Sequence, residues 1–394
     1  MGKMRQVNSY KYVVIGSGPF GSTIAHKIAT QLNQEVLLVD KRDHIGGNCF
    51  SSPHKETGIE THHYGSHIFH TSNKKVWDYV NLFSDFNDYR HIVYAKSKGI
   101  SYTLPLNLTT INSFFKSDLS PQEARSFIEK ESELFKNKDA SNFEEKAKSL
   151  IGEKLYQAFF SGYSEKQWGT SPLNLPASTF SRLPIRYNRD HFYFSDQYEG
   201  IPTNGYGKLF LNMINHPNIH LKLKTDFKEI KPYLNPNALV IYSGPLDEFF
   251  HYCFGDLGWR TLTFEKEVHD CEDYQGCAVM NYVDKEIPYT RIHEFKHYQT
   301  HLPHIRKSQK TITFKEYSTF VKRGETPYYP VNSKEDREIF QLYWKESLNL
   351  KNYIFGGRLG SYQYFDMHQV FAQALHLFEE KVRPYDQYKI NVSV

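Results

Sequence analysis

Cysteine is scarce: Cys49, Cys253, Cys271 and Cys277 are the only four in 394 residues. They form no CxxC pair and no cluster with histidine at metal spacing, so neither a disulfide framework nor a zinc site is expected. Positive charge is equally modest. A formal net charge of +4 falls short of the clustered basic excess that marks a nucleic-acid binder. No run reaches the roughly 18 apolar residues of a membrane span. The opening MGKMRQVNSYK has no apolar signal core, and Gln6 breaks a myristoylation signal. A cytoplasmic protein with no membrane span, no nucleic-acid partner and no metal is expected. No internal repeat or low-complexity linker appears either, so its lobes are expected to interleave.

What is plentiful is aromatic. Phe, Trp and Tyr make up 16% of the chain, with 29 Tyr and 29 Phe. Tyrosine joins a flat apolar face to a neutral hydroxyl, which suits planar rings and phosphates as well as ordinary cores. The length suggests two or three packed lobes rather than one core.

The most informative stretch is VVIGSGPFGSTIA, Val13 to Ala25. Tyr12 to Ile15 reads as a buried strand, Gly16-Ser17-Gly18-Pro19-Phe20-Gly21 as a turn, Ser22 to Leu32 as a helix, and Glu35 to Val39 as a second strand ending in Asp40. Strand, glycine turn, helix and strand, with an acid about 20 residues beyond the glycines, make a dinucleotide-binding unit in which Asp40 meets a ribose hydroxyl. Two features favour FAD over NAD. The pair Gly46-Gly47 in His44-Ile45-Gly46-Gly47-Asn48 would let backbone approach an extended cofactor. The late segment Tyr353 to Phe355, Gly356-Gly357-Arg358, followed by a helix from Asp366 to Leu377, suits a chain that returns to close over a flavin.

Between about residue 112 and residue 168 the pattern turns helical. Ser120-Pro121-Gln122-Glu123 is a capping box, and Ser141 with Glu144 reads as another. Leu150, Ile151, Leu155, Ala158 and Phe159 recur at helical spacing as one apolar face. Phe192 to Phe194, Leu239 to Tyr242, Ala278 to Tyr282 and Thr311 to Tyr317 read as strands. The expected fold class is α/β: an FAD-binding Rossmann-like domain with an inserted helical bundle and an antiparallel sheet domain. The expected division gives residues 1–90, 203–250 and 331–394 to the dinucleotide domain. Residues 91–111, 183–202 and 251–330 go to the sheet domain, and 112–182 to a helical lobe with a mobile lid.

Arginine grips phosphate through paired donors, and Arg182 and Arg291 stand in unusual settings, Ser181-Arg182-Leu183-Pro184 and Pro288-Tyr289-Thr290-Arg291. Tyr163 and Trp168 end a helix ahead of Gly169-Thr170-Ser171-Pro172, flexible enough for a lid. Paired tyrosines stand beside turns in Pro327-Tyr328-Tyr329-Pro330 and Tyr362-Gln363-Tyr364-Phe365-Asp366. Taken singly, each of these residues suits surface or packing duty better than a ligand role.

Together with HIGGN, HYGSHIFHT (His63 to Thr71), GYSEKQWG (Gly162 to Gly169), SRLPIR (Ser181 to Arg186), IPYTRI (Ile287 to Ile292), PYYPV (Pro327 to Val331) and FGGRLGSYQYFDM (Phe355 to Met367), they stand in one order. In that order the chain resembles the bacterial branch of the UDP-galactopyranose mutase family over nearly its whole length. The resemblance implies an isomerase that interconverts UDP-galactopyranose and UDP-galactofuranose for cell-surface polysaccharide. It implies FAD, active when reduced by an external reductant, and a homodimer.

By the same resemblance Arg182 and Arg291 hold the diphosphate, Phe159 and Tyr163 shelve the uracil, and Asn281 bonds the base. Trp168 rides the lid, Tyr193, Tyr329 and Tyr364 line the diphosphate and sugar, His67 lies against the flavin, and Asp366 is an acid near both ligands. The cofactor would touch Gly16, Gly18, Phe20, Gly21, Asp40, Lys41, Gly46, Gly47 and Asn48. Further on it would touch His67, Ile68, Phe227, Arg358, Phe365, Asp366, Met367 and Gln369. His91 stands where relatives commonly have an asparagine beside the substrate. Ser66 replaces a proline or alanine on a loop that could touch the sugar's C2 substituent, which raises UDP-N-acetylgalactosamine as an alternative substrate. Trp259 replaces a tyrosine, a packing change.

The implied chemistry has no net redox: reduced flavin N5 is the nucleophile at the anomeric carbon, and the arginines stabilise the departing diphosphate. No side chain stands out as a general base. The rival readings are a flavin oxidase or desaturase of the amine-oxidase-like group and an inactive nucleotide-sugar sensor. Paired phosphate-type arginines and tyrosine clusters speak against an apolar amine or lipid tunnel.

Overall fold

The computed structural model describes residues 6–136, 139–180 and 185–386. Its organising layer is a five-stranded parallel sheet in the order Tyr353–Phe355, Leu239–Tyr242, Tyr12–Ile15, Val36–Val39 and Ile219–Lys222. The inner strands YVVI, VLLV and LVIY are buried at every position, as unbroken apolar runs must be when both faces of a parallel sheet are covered. The first helix, Pro19–Gln31, starts earlier than the apolar spacing suggests, because Pro19 takes the first helical position, where its missing N–H costs nothing. Gly21 is fixed by space: a Cβ there would stand 1.8 Å from the Gly16 carbonyl oxygen.

A second sheet has seven strands in the order Tyr329–Pro330, Trp259–His269, Thr311–Phe320, Arg291–Glu294, Val279–Tyr282, Val93–Ser97 and Ile100–Leu104. It is mixed rather than antiparallel, since Val279–Tyr282 runs parallel to Val93–Ser97. Phe192 to Phe194 forms no strand. The Tyr193 N–H instead donates to the His91 carbonyl at 2.7 Å, and the Arg186 guanidinium bonds the Phe192 carbonyl, so isolated bonds hold the segment in place of a ladder. Nor does Tyr198–Gly200 join the large sheet; it pairs with Phe69–Thr71.

The helical region lies between the strands of the second sheet in sequence. The capping box at Ser120 and Glu123 opens Pro121–Glu131. The next cap is one residue later than Ser141: Asn142 accepts the Glu145 N–H, while Ser141 bonds the Glu145 carboxylate. Ile151, Leu155 and Phe159 are buried, but Leu150 is 42% exposed and lies off the apolar face. Among the described residues no helix is long and apolar enough to cross a membrane.

Candidate functional site

A long cleft runs along the carboxyl ends of the parallel strands, where open α/β sheets bind ligands. It encloses about 1340 Å³ of atom-free space, part of it open to solvent. Gly16, Gly18, Phe20, Asp40, Lys41, Gly47, Asn48, His67, Phe227, Arg358 and Met367 all line it. The second glycine pair folds onto the first glycine turn. The Gly46 N–H donates to the Ser17 carbonyl at 2.9 Å, and a Cβ on Gly47 would come within 3.0 Å of the Gly18 Cα. Gly47 also has φ +57, so space and conformation both demand glycine there.

Asp40 organises this turn. Its carboxylate accepts the Ser17 N–H at 2.8 Å, the Ser17 hydroxyl at 2.7 Å and the Arg42 N–H at 3.0 Å. Bare backbone at the start of a helix beside a fixed carboxylate suits a pyrophosphate and a ribose, so the residues present fit a dinucleotide.

Not every expected cofactor residue reaches the cleft. Gly21 sits behind the turn and Gly46 against the Phe210 ring, while Ile68 is buried in the core. Phe365 offers its carbonyl to Arg358. Asp366 and Gln369 form the capping box of the C-terminal helix, Met367–Leu377. Conversely, Arg42, Thr225, Lys228, Lys231, Ser243 and Gly244 line the cleft without having been expected. Ser243-Gly244-Pro245 directly follows the buried strand Leu239–Tyr242, and a small-residue turn after such a strand was the available signal.

The other end of the site is made of side chains. Arg291 begins its strand; its Nη2 donates to the Tyr163 hydroxyl at 2.5 Å, and its Nε lies 3.1 Å from Glu316 Oε1. The Nε contact is an ion pair without an aligned hydrogen bond, so this N–H has no protein acceptor. Burial alone would raise the Glu316 carboxyl; the Arg291 charge and hydrogen bonds from His293 and Thr290 outweigh it and bring the pKa down to about 2. Tyr329 and Tyr364 stack with centroids 5.2 Å apart, and the Arg358 guanidinium sits 5.5 Å from each ring. Because Arg358 also lines the cofactor cleft, it joins the two ends.

Phe159 is buried edge-on against Tyr102, 5.1 Å between centroids. Asn281 keeps a buried Oδ1 with no protein partner, which is costly unless a ligand supplies a donor. The N3–H of a pyrimidine would do so. Trp168 closes the helix Gly162–Trp168, 6.1 Å from the Tyr364 ring. The helix end is clamped twice. Lys166 Nζ donates to the carbonyls of Tyr282, Asp284, Ile287 and Tyr289, and Arg260 Nε donates to the Gln167 carbonyl.

Burial lowers the His67 pKa to about 4 despite its hydrogen bond to the Gly65 carbonyl. The neutral ring therefore donates from Nδ1 to Gly65 at 2.8 Å and keeps Nε2 as an acceptor. His91 is neutral for the same reason, its pKa lowered to about 3 by burial. Its Nδ1 meets the Tyr89 hydroxyl at 2.9 Å, and its ring lies beside Tyr193 and Phe194. Ser66 does not offer its hydroxyl to a sugar: Tyr298 and His293 already occupy it. Trp259 is buried edge-on against Tyr362, a packing role. Arg182 lies outside the described residues. Away from the cleft, Asp273, Glu294 and His297 stand close enough to share a cation. The Glu294 carboxylate is already taken by two backbone N–H groups and the Thr311 hydroxyl.

Comparison with known proteins gives the family and the fold. The family model described as UDP-galactopyranose mutase matches residues 158–364, and that of an NAD(P)-binding Rossmann-like domain matches 14–83. The chain is 42% identical to the dTDP-fucopyranose mutase of Escherichia coli, over 93% of this chain and 96% of that protein. It is 41% identical to a probable UDP-galactopyranose mutase of Klebsiella pneumoniae, over 95% of both. A crystal structure of reduced UDP-galactopyranose mutase shares the fold, with a TM-score of 0.70 at 14% identity, over 93% of this chain and 94% of that one.

Proposed function

The chain belongs to the UDP-galactopyranose mutase family, and from that premise we propose that it interconverts UDP-galactopyranose and UDP-galactofuranose. The observation that carries this reading is Arg291, a half-buried guanidinium that bonds the Tyr163 hydroxyl and pairs with Glu316. It stands beside the tyrosine stack that Arg358 links to the dinucleotide cleft.

The dinucleotide is FAD, which when bound and reduced supplies a nucleophilic N5 for the sugar's anomeric carbon. Gly16, Gly18, Asp40, Gly47 and Arg358 would hold it. The chain's own residues hold the substrate around that chemistry. Arg291 binds the diphosphate and stabilises the charge that grows there as the glycosidic bond breaks. Asn281 accepts from the base, with Phe159 and Tyr163 beneath it. Tyr329 and Tyr364 line the sugar side, and Trp168 keeps the nucleotide in place so that the sugar can be returned to it. His67, neutral with a free acceptor nitrogen, can take a hydrogen bond from a hydroxyl or a flavin N–H without adding charge. Arg182 and Tyr193 complete the set on the strength of the family resemblance, with His91, which departs from it, beside Tyr193. Asp366 is kept as an acid near the ligands, beside its capping duty. We extend the reading to a cytoplasmic homodimer that takes electrons from an external reductant and supplies galactofuranose for surface polysaccharide.

The 42% relative gives a second substrate to try, dTDP-fucose, whose sugar and base differ while the ring contraction is the same. The test is anaerobic incubation of the yellow protein with UDP-galactofuranose, and in parallel with dTDP-fucofuranose, with and without dithionite. Chromatography of the nucleotide sugars should find pyranose product only with reductant, at many turnovers per flavin. Conversion of the dTDP sugar alone would move the substrate assignment. Peroxide formed in proportion to product would replace the isomerase with an oxidase.

A further inference from the structure

Ser66 and His293 belong to one buried chain of hydrogen bonds. The Tyr298 hydroxyl donates to Ser66 Oγ at 2.5 Å, and Ser66 Oγ lies 2.6 Å from His293 Nδ1. His293 Nε2 lies 3.0 Å from Glu316 Oε2. Glu316 Oε1 accepts the Thr290 hydroxyl at 2.9 Å and faces Arg291 Nε at 3.1 Å. The donor count assigns every proton. Ser66 accepts from Tyr298, so its single proton goes to His293 Nδ1. The Nε2 of His293 then carries the ring proton and donates it in a hydrogen bond to the carboxylate. The His293 ring is wholly buried; burial lowers its pKa and favours the neutral ring, and this tautomer satisfies both neighbours.

The chain has two ends with different duties. At one, Ser66 lies between Gly65, whose carbonyl orients the His67 ring, and His67, whose N–H donates to His62 Nδ1 at 3.0 Å. His62 in turn stacks on Tyr298, 5.2 Å between centroids. At the other end, Glu316 forms an ion pair with the Arg291 guanidinium, whose Nη2 bonds Tyr163. A guanidinium holds a diphosphate well only when its plane is set beforehand, and here the Glu316 charge and the Tyr163 hydroxyl share the setting. The Glu316 carboxylate is itself held by His293.

We propose that Ser66 and His293 are positioning residues for the reaction, forming with Glu316 a relay that sets the plane of Arg291 and couples it to the loop carrying His67. His293 acts through Glu316, and Ser66 acts through His293 and the His67 loop. The proposal rests on the mutase reading.

The test uses holoenzyme with FAD bound and three variants, His293→Leu, His293→Gln and Ser66→Ala. UDP affinity is measured by calorimetry, flavin content by absorbance, and kcat and KM on the reduced enzyme. His293→Leu removes a donor from a buried carboxylate, and UDP binding should weaken about tenfold with flavin content unchanged. His293→Gln keeps a donor and an acceptor in the side chain and should return affinity to within about threefold of the starting enzyme. Ser66→Ala should weaken UDP binding about threefold and also shift the flavin spectrum, because it loosens the His67 loop. A purely structural role would lower thermal stability in His293→Leu and His293→Gln alike and leave UDP affinity untouched, and that result would overturn the relay. Should His293→Leu fail to fold, unchanged UDP affinity in Ser66→Ala would overturn it equally. If the unmodified holoenzyme binds no UDP and no dTDP, the mutase reading falls, and the relay with it.

Discussion

The cofactor end of the cleft is walled by backbone, and the substrate end by long side chains. At Gly47 a second turn touches Gly18 so closely that a Cβ would meet it at 3.0 Å; the Gly46 N–H joins this turn to the Ser17 carbonyl, and Asp40 holds Ser17 by two further hydrogen bonds. At Arg291, Glu316 and His293 the same job falls to an ion pair and a neutral imidazole on neighbouring strands. A backbone wall can be lost only by changing the fold, so it tolerates no added atom. A side-chain wall depends on charge pairing, so it tolerates changes of shape better than changes of charge. The two ends should therefore fail in different ways.

The largest expected effect is at the backbone wall. Gly47→Val puts a branched side chain at positive φ against Gly18, and the purified protein should be colourless, with FAD occupancy down by about tenfold or more. A yellow Gly47→Val protein would break the contrast. Next, Arg291→Ala should keep its flavin and lose at least about 100-fold in kcat/KM. Loss of flavin in that variant would merge the two ends into one unit.

The third prediction concerns two carboxyls, Glu316 buried and Glu60 half-buried. Glu316 has a cation and its pKa falls to about 2, whereas Glu60 is held by the Ser51 hydroxyl at 2.6 Å and burial raises it from 4.5 to about 7. A folded value above the unfolded one means that the folded state binds the extra proton. The stability Glu60 contributes is then fully present below pH 4.5 and is lost as pH rises through about 7. Thermal melts of Glu60→Gln should remove that slope and leave the protein more stable than its parent at pH 8, and identical pH profiles would refute it. The smallest effect is at Asp366. Its capping box makes Asp366→Ala cost about 1 kcal/mol in denaturant midpoint, with the Asp366→Asn variant recovering most of it. A turnover loss far beyond that stability change would give Asp366 a direct part in the reaction.

Legibility in the sequence followed the range of the interaction. The strand at Tyr12–Ile15, the glycine turn, Asp40 and the box at Ser120 depend on residues within one turn or one strand of each other, and they were readable. Ser141 was off by one because Asn142 offers an equally good cap acceptor. Phe192 to Phe194 has strand composition but no neighbour to pair with. Tyr198–Gly200 pairs with Phe69–Thr71, a partner that no local pattern names. Ser66, in place of the family's proline or alanine, reads from sequence as a residue on a loop that could touch the sugar's C2 substituent. Its partners, Tyr298 and His293, lie more than 200 residues away.

By itself the sequence determined the dinucleotide unit, the helical character of the middle region and the ordered motifs that carry the family, because each rests on short-range periodicity, glycine geometry or local capping. Only the tertiary structure decided that the second glycine pair closes on the first, that Arg358 bridges the two ends of the cleft, and that Arg291 is oriented by a chain reaching back to Ser66. These are contacts between groups far apart in the chain. Their geometry is fixed when the sheets pack together, and no spacing rule along one strand or helix contains it.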